Sequence, residues 1–190
     1  MRSHINRTDD TKTTPPPEDI EVDFWRTSSD FYSQELVKSL LLDLQNQHGY
    51  SINRLLFCLW FSQLFQQLVD PSLLKSKTNN IELAEESVEA MRKNRRRFEL
   101  TYDKSSVGNL NMVRYHLLEA ELAMEKEIQS LLVNTLCEGK YQPVTQISVE
   151  TLDFLINENI SLLCPDRTSS EESELQNLSM LWFQHQDCYN

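Results

Sequence analysis

The chain has 190 residues with only three Gly and six Pro, and it is rich in Leu, Glu and Gln, so it reads as one helical domain large enough to bury an apolar core. A formal charge of −11 works against broad binding to nucleic acid or anionic membranes, because their phosphates are repelled. Cys58, Cys137, Cys164 and Cys188 stand far apart with no CxxC pair, which argues against a disulfide framework or a cysteine zinc site and for reduced thiols in the cytoplasm.

Residues 1–20 are polar, contain Pro15-Pro16-Pro17 and no apolar stretch of the secretory kind, and read as a disordered arm. Residues 21–164 read as the bundle. Val22, Phe24, Trp25, Phe31 and Tyr32 are too aromatic for a free tail, and Asp23 is placed to cap a short first helix. In Gln34–His48 the spacing of Leu36, Val37, Leu40, Leu41 and Leu44 predicts an inward helical face. Gly49 sits where a helix ends in the left-handed conformation, and Ser51 can cap a third helix from Ile52. The two helices form an antiparallel hairpin around the polar cluster Gln45-Asn46-Gln47-His48. Leu55–Phe61 is apolar nearly all round, which predicts a central helix, with Asp70-Pro71 as its end. Polar residues within Ile52–Val69 fit a buried core helix better than a lipid-spanning one.

Residues 71–80 read as a polar connection. A fourth helix follows over Ile81–Phe98, with Ile81, Ala84, Val88, Met91, Arg95 and Phe98 on one stripe. Tyr102–Asn109 breaks the chain. A fifth helix then runs to about Glu138 on a seam of Leu110, Val113, Leu117, Ala120, Met124, Ile128 and Leu131, with Gly139 as its stop. Ser148 caps a sixth helix to Leu163, with Val149, Leu152, Ile156 and Leu163 facing inward. Residues 165–190 read as an acidic tail with a short amphipathic helix capped by Ser170. The expected fold is an all-α, single-domain bundle of five to seven helices.

The pattern FW, Tyr32, LxLQxxHG over Leu42–Gly49 and NxLLxxxW over Asn53–Trp60 resembles a family of short, uncharacterised proteobacterial proteins of unknown function. The likeness continues through RKNRRR (Arg92–Arg97) and ELxxE (Glu121–Glu125), covering roughly residues 24–132. Early in the fourth helix, where that family has a tryptophan, this chain has Val88 or Met91. The resemblance implies a cytosolic, bacterial, all-helical protein and no particular activity.

Two surfaces are candidates for a partner. The first is the basic run Arg92, Lys93, Arg95, Arg96 and Arg97, which could meet an acidic protein or, less favourably, nucleic acid. The same run also reads as a solvated helix end, because Glu82, Glu85, Glu86 and Glu89 precede it and complement the helix dipole. The second is the tail stripe Leu175, Leu178, Leu181 and Trp182, which either folds back or lies in another chain's groove.

Arg95 falls on the apolar stripe and needs a carboxylate, so Arg95 or Arg96 is expected to pair with Glu121 or Glu125. Arg54, one turn into an apolar helix, either snorkels or joins a buried polar cluster with His48, Arg95, Glu121 and Glu125. His116, Glu119, Glu121 and Glu125 lack the repeated Glu-x-x-His of a di-iron bundle, so no metal ligands are assigned. Cys58 lies inside the most apolar helix and reads as inert core. No GxSxG, P-loop or GxGxxG occurs, and no catalytic or cofactor-binding residues are assigned. The leading reading is a non-enzymatic protein-interaction or regulatory module. The alternatives are nucleic-acid association through residues 92–97 and a small-molecule pocket or enzyme within the bundle.

Overall fold

The computed structural model describes residues 17–101, 109–139, 141, 144, 148–164 and 171–187. The expected arm up to residue 16, most of the break at 102–108 and the Ser170 cap lie outside them. Among the described residues there are eight helical segments and no strand: seven α-helices, with a short 3₁₀ segment at Glu171 leading into the last. The all-helical bundle holds, with one segment more than the upper bound of five to seven. No helix among the described residues is long and apolar enough to cross a membrane.

Helix α1 spans Pro17–Tyr32 and begins four residues before the expected edge of order. Pro is favoured at a first helical position, where a missing amide costs nothing. Ile20, Phe24, Ser28 and Phe31 form its buried stripe. Asp23 does not cap this helix; it lies inside it and accepts from Trp60 Nε1 at 2.9 Å and Arg26 Nη2 at 2.7 Å. Trp25 faces α5 and carries Lys126 Nζ 4.7 Å from its ring centroid.

Helix α2 (Glu35–His48) buries Val37, Leu41 and Leu44. Leu36, expected on the inward face, is 74% exposed, because the true stripe runs through 37, 41 and 44. Gly49 turns the chain at φ 75°, where a Cβ is strained, and its amide bonds back to Gln45 O at 3.1 Å. Ser51 then caps α3 (Ile52–Phe65) through Arg54 N. Every residue from Leu55 to Ser62 is buried, and the rings of Phe24, Phe57, Trp60, Phe61 and Phe65 pack against one another, edge-on for Phe24–Phe57 and stacked for Phe57–Phe61. α3 touches α1, α5 and α6, whereas α2 lies against α1, α3 and α7.

α3 ends at Phe65, five residues before Asp70-Pro71. Gln66 takes the left-handed conformation at φ 52°, and the following backbone is satisfied from elsewhere. Asn159 Oδ1 accepts from Val69 N at 2.8 Å, Asn159 Nδ2 donates to Gln67 O at 3.1 Å, and Tyr141 Oη accepts from Asp70 N at 2.8 Å. These bonds replace the ones helix continuation would supply.

Residues 71–80 are not a connection. They open α4, a single helix over Pro71–Thr101, about 46 Å long. Asp70 Oδ1 caps it, accepting from Ser72 N at 2.8 Å, with Pro71 as first residue. α5 (Asn109–Gly139) returns along α4. Only the inner halves of this hairpin enter the core: Ile81, Ala84 and Val88 from α4, and Ile128, Leu132 and Val133 from α5. Val113 and Ala120, expected on the seam, are exposed, because the buried face of α5 runs through Glu121, Ile128, Leu132 and Val133.

Helix α6 (Val149–Leu163) is capped by Ser148 and buries Leu152, Leu155, Ile156, Ile160 and Leu163. Val149 was expected inside but is 59% exposed, one turn ahead of the stripe. Helix α7 (Glu172–Asp187) folds back onto α2 and α6. The segment is therefore a wall of the bundle and not a loose tail.

Candidate functional site

The corner between α2 and α3 opens a cleft of about 390 Å³ toward the middles of α4 and α5. Val88, Ile128, Tyr50 and Asn53 are buried and form its floor. Gln45, Asn46 and Gly49 stand on one side. Glu85, Glu89, Arg92 and Arg96 of α4 stand on the other, with Glu125 between them. Steps of four, three and four put those α4 residues on one helical face.

A polar network crosses the floor. Glu125 accepts from both Arg92 Nη2 and Asn53 Nδ2. Gln129 Nε2 donates to Asn53 Oδ1 at 3.0 Å. Burial raises the Glu125 carboxyl above the ordinary glutamate range against the opposing pull of Arg92 and Asn53, and Glu85 adds to the rise. A carboxyl that holds its proton more tightly folded than unfolded adds stability at low pH and loses it as pH climbs through the folded value. The stability of the wild type relative to Glu125→Gln is therefore expected to increase as pH falls from neutrality toward 4.5, the ordinary glutamate value. Urea titrations at several pH values check this, and a difference independent of pH counts against it.

Arg54 answers the question raised by its place in an apolar helix. It does not snorkel. Its Nε and Nη2 grip Glu85 at 2.9 and 2.7 Å, and Nη1 donates to Leu163 O at 3.0 Å at the end of α6. Arg95 pairs with Glu121 as expected, at 2.7 and 3.2 Å, and also reaches Glu99, which Arg114 holds at 2.7 Å. His48 Nδ1 lies 3.0 Å from Glu171 Oε1. The expected single buried cluster of Arg54, Arg95, Glu121, Glu125 and His48 is thus four separate contacts, because each acid has its own partner on a different part of the bundle.

The basic run divides in the same way. Arg92 and Arg95 turn inward to carboxylates, whereas Lys93, Arg96 and Arg97 are exposed, with no ion pair among the described residues. The tail stripe is not a free surface. Leu178 and Trp182 are fully buried and Leu181 is half-buried, because Trp182 packs edge-on against Phe31 at 4.9 Å. Burial pushes the Cys58 thiol well up, so it is poorly suited to act as a nucleophile. His116 and Glu119 sit on an exposed face, and no group of three potential ligands converges among the described residues.

Glu85, Glu89, Asn53, Gln45 and Asn46 are the cleft residues that reading the sequence did not select. Their signal was present: acids at 85 and 89 share the helical face of Arg92 and Arg96. Read alone, such acids look like a solvated helix start.

No curated protein and no solved structure matches the chain. A sequence model of one family, described as Protein of unknown function (DUF2390), matches residues 23–132, which include every residue lining the cleft, and the chain belongs to that family.

Proposed function

We propose that the protein is a non-enzymatic interaction module of the bacterial cytosol, and that the outer half of the α4–α5 hairpin is its binding surface. The observation that carries this is the apolar stripe left uncovered there. Met112, Tyr115, Leu118 and Leu122 follow steps of three, three and four along α5 and are 59%, 57%, 40% and 52% exposed. Leu100 opposite is 89% exposed. Contiguous apolar surface of this kind on a charged molecule marks a contact site for another protein. Lys93 and Arg97 on α4 favour a partner whose rim is acidic. The burial of Leu178 and Trp182 counts against the tail stripe as the contact surface, and the α5 stripe adds an apolar patch to the helix hairpin that carries the basic run.

The test is an affinity pull-down of the full chain from its native host, with and without nuclease. A protein partner is expected to survive nuclease and to be lost from the Leu118→Asp, Leu122→Asp double variant, whose thermal unfolding stays close to wild type because both residues are exposed. Retention of the partner by that variant overturns the assignment. Nucleic acid remains the second reading because Lys93, Arg96 and Arg97 face outward. Capture that disappears with nuclease and falls steeply with salt supports it instead.

A further inference from the structure

We infer that the α2–α3 corner cleft is a binding site for a short zwitterionic peptide, with its amino group at Glu89 and its carboxylate at Arg96. The wall of α4 is dipolar: Glu85 and Glu89 come first, Arg92 and Arg96 after them. The more buried member of each sign, set deeper toward the core, is engaged. Arg54 grips Glu85 with two hydrogen bonds, and Glu125 holds Arg92. The outer pair is left with polar capacity. Glu89 is half-exposed and its nearest cation, Arg92 Nη1, stands at 3.6 Å, beyond hydrogen-bond length. Arg96 has no ion pair among the described residues.

The net charge of the wall therefore rejects neither sign alone and rewards a ligand that carries both. Seven residues of helix separate Glu89 from Arg96 by about 10 Å. An extended peptide spans roughly 3.3–3.6 Å per residue, so three residues match that spacing. Across the cleft, the side-chain amides of Gln45 and Asn46 can donate to and accept from a peptide backbone. A volume of about 390 Å³ lies within the usual small-molecule range and suits a ligand of this size rather than a folded partner.

Isothermal titration of the full chain with alanine, dialanine, trialanine and tetra-alanine tests this. Trialanine is expected to bind saturably and most tightly of the four. Arg96→Ala is expected to weaken it about tenfold, the value of one charge-assisted hydrogen bond. Amidating the peptide carboxylate is expected to cost the same and to make Arg96→Ala silent. Acetylating the amino group is expected to do likewise for Glu89→Gln. Lys93→Ala, outside the cleft, leaves binding unchanged. Absence of saturable binding for all four peptides at millimolar concentration overturns the inference. So does binding that persists unchanged in both Arg96→Ala and Glu89→Gln.

Discussion

Trp182→Ala is expected to remove about 3–5 kcal/mol of stability, the usual cost of deleting a fully buried large aromatic. Trp182 is 1% exposed and packs edge-on against Phe31. Leu175 and Leu178 bury beside it on α7, and His185 Nδ1 meets Gln34 at 2.7 Å at the head of α2. The indole N–H is buried with no hydrogen-bond partner among the described residues, so the loss is one of packing and not of an orphaned bond. Trp182→Phe should accordingly recover most of it. Urea unfolding of both variants decides the matter. A loss below about 1 kcal/mol for the alanine variant shows that α7 is not part of the cooperative unit.

Arg54→Ala is expected to cost about 3 kcal/mol, because it leaves Glu85 half-buried without a cation and Leu163 O without a donor. The side chains of Arg54 and Glu85 keep only 17% and 23% of their exposure, so water compensates poorly. The informative partner experiment replaces both, as Arg54→Met with Glu85→Leu. An apolar pair of similar volume avoids the desolvation cost, and the double variant is expected to recover most of the stability lost by the single one. Equal losses in single and double variants would sink the idea that the uncompensated charge is what destabilises the single one. This pair joins the start of α3 to α4 and to the end of α6, so its loss should also loosen one wall of the cleft.

The local grammar of the chain was legible where backbone chemistry is strict. Gly49 and Ser51 marked the corner because one supplies positive φ and the other a cap, and both do so in the structure. Arg95 was legible for a different reason: a guanidinium on an apolar stripe demands a carboxylate, and Glu121 was within reach on the next helix. The errors came from effects that no local window contains. Residues 71–80 look like a linker only if Asp70 is read as a stop, whereas its side chain caps the next helix. Leu178 and Trp182 look like a sticky tail until Phe31, far away in sequence, is seen to receive them. The cleft was half legible. Its corner was singled out, but the acids on α4 acquire meaning only when that helix is laid against it.

The end of α3 carries a consequence for the order in which the chain assembles. Gln67 O and Val69 N are satisfied by Asn159, which lies ninety or more residues further along. Until α6 has been synthesised and docked, those groups have no such partner, and continuing α3 past Phe65 is the local way to satisfy them. A chain ending before α6 is therefore expected to leave Gln67 O and Val69 N without that partner, next to the left-handed Gln66. The family match at 23–132 excludes α6, so the matched segment of this chain does not contain Asn159, which satisfies the backbone just past the end of α3.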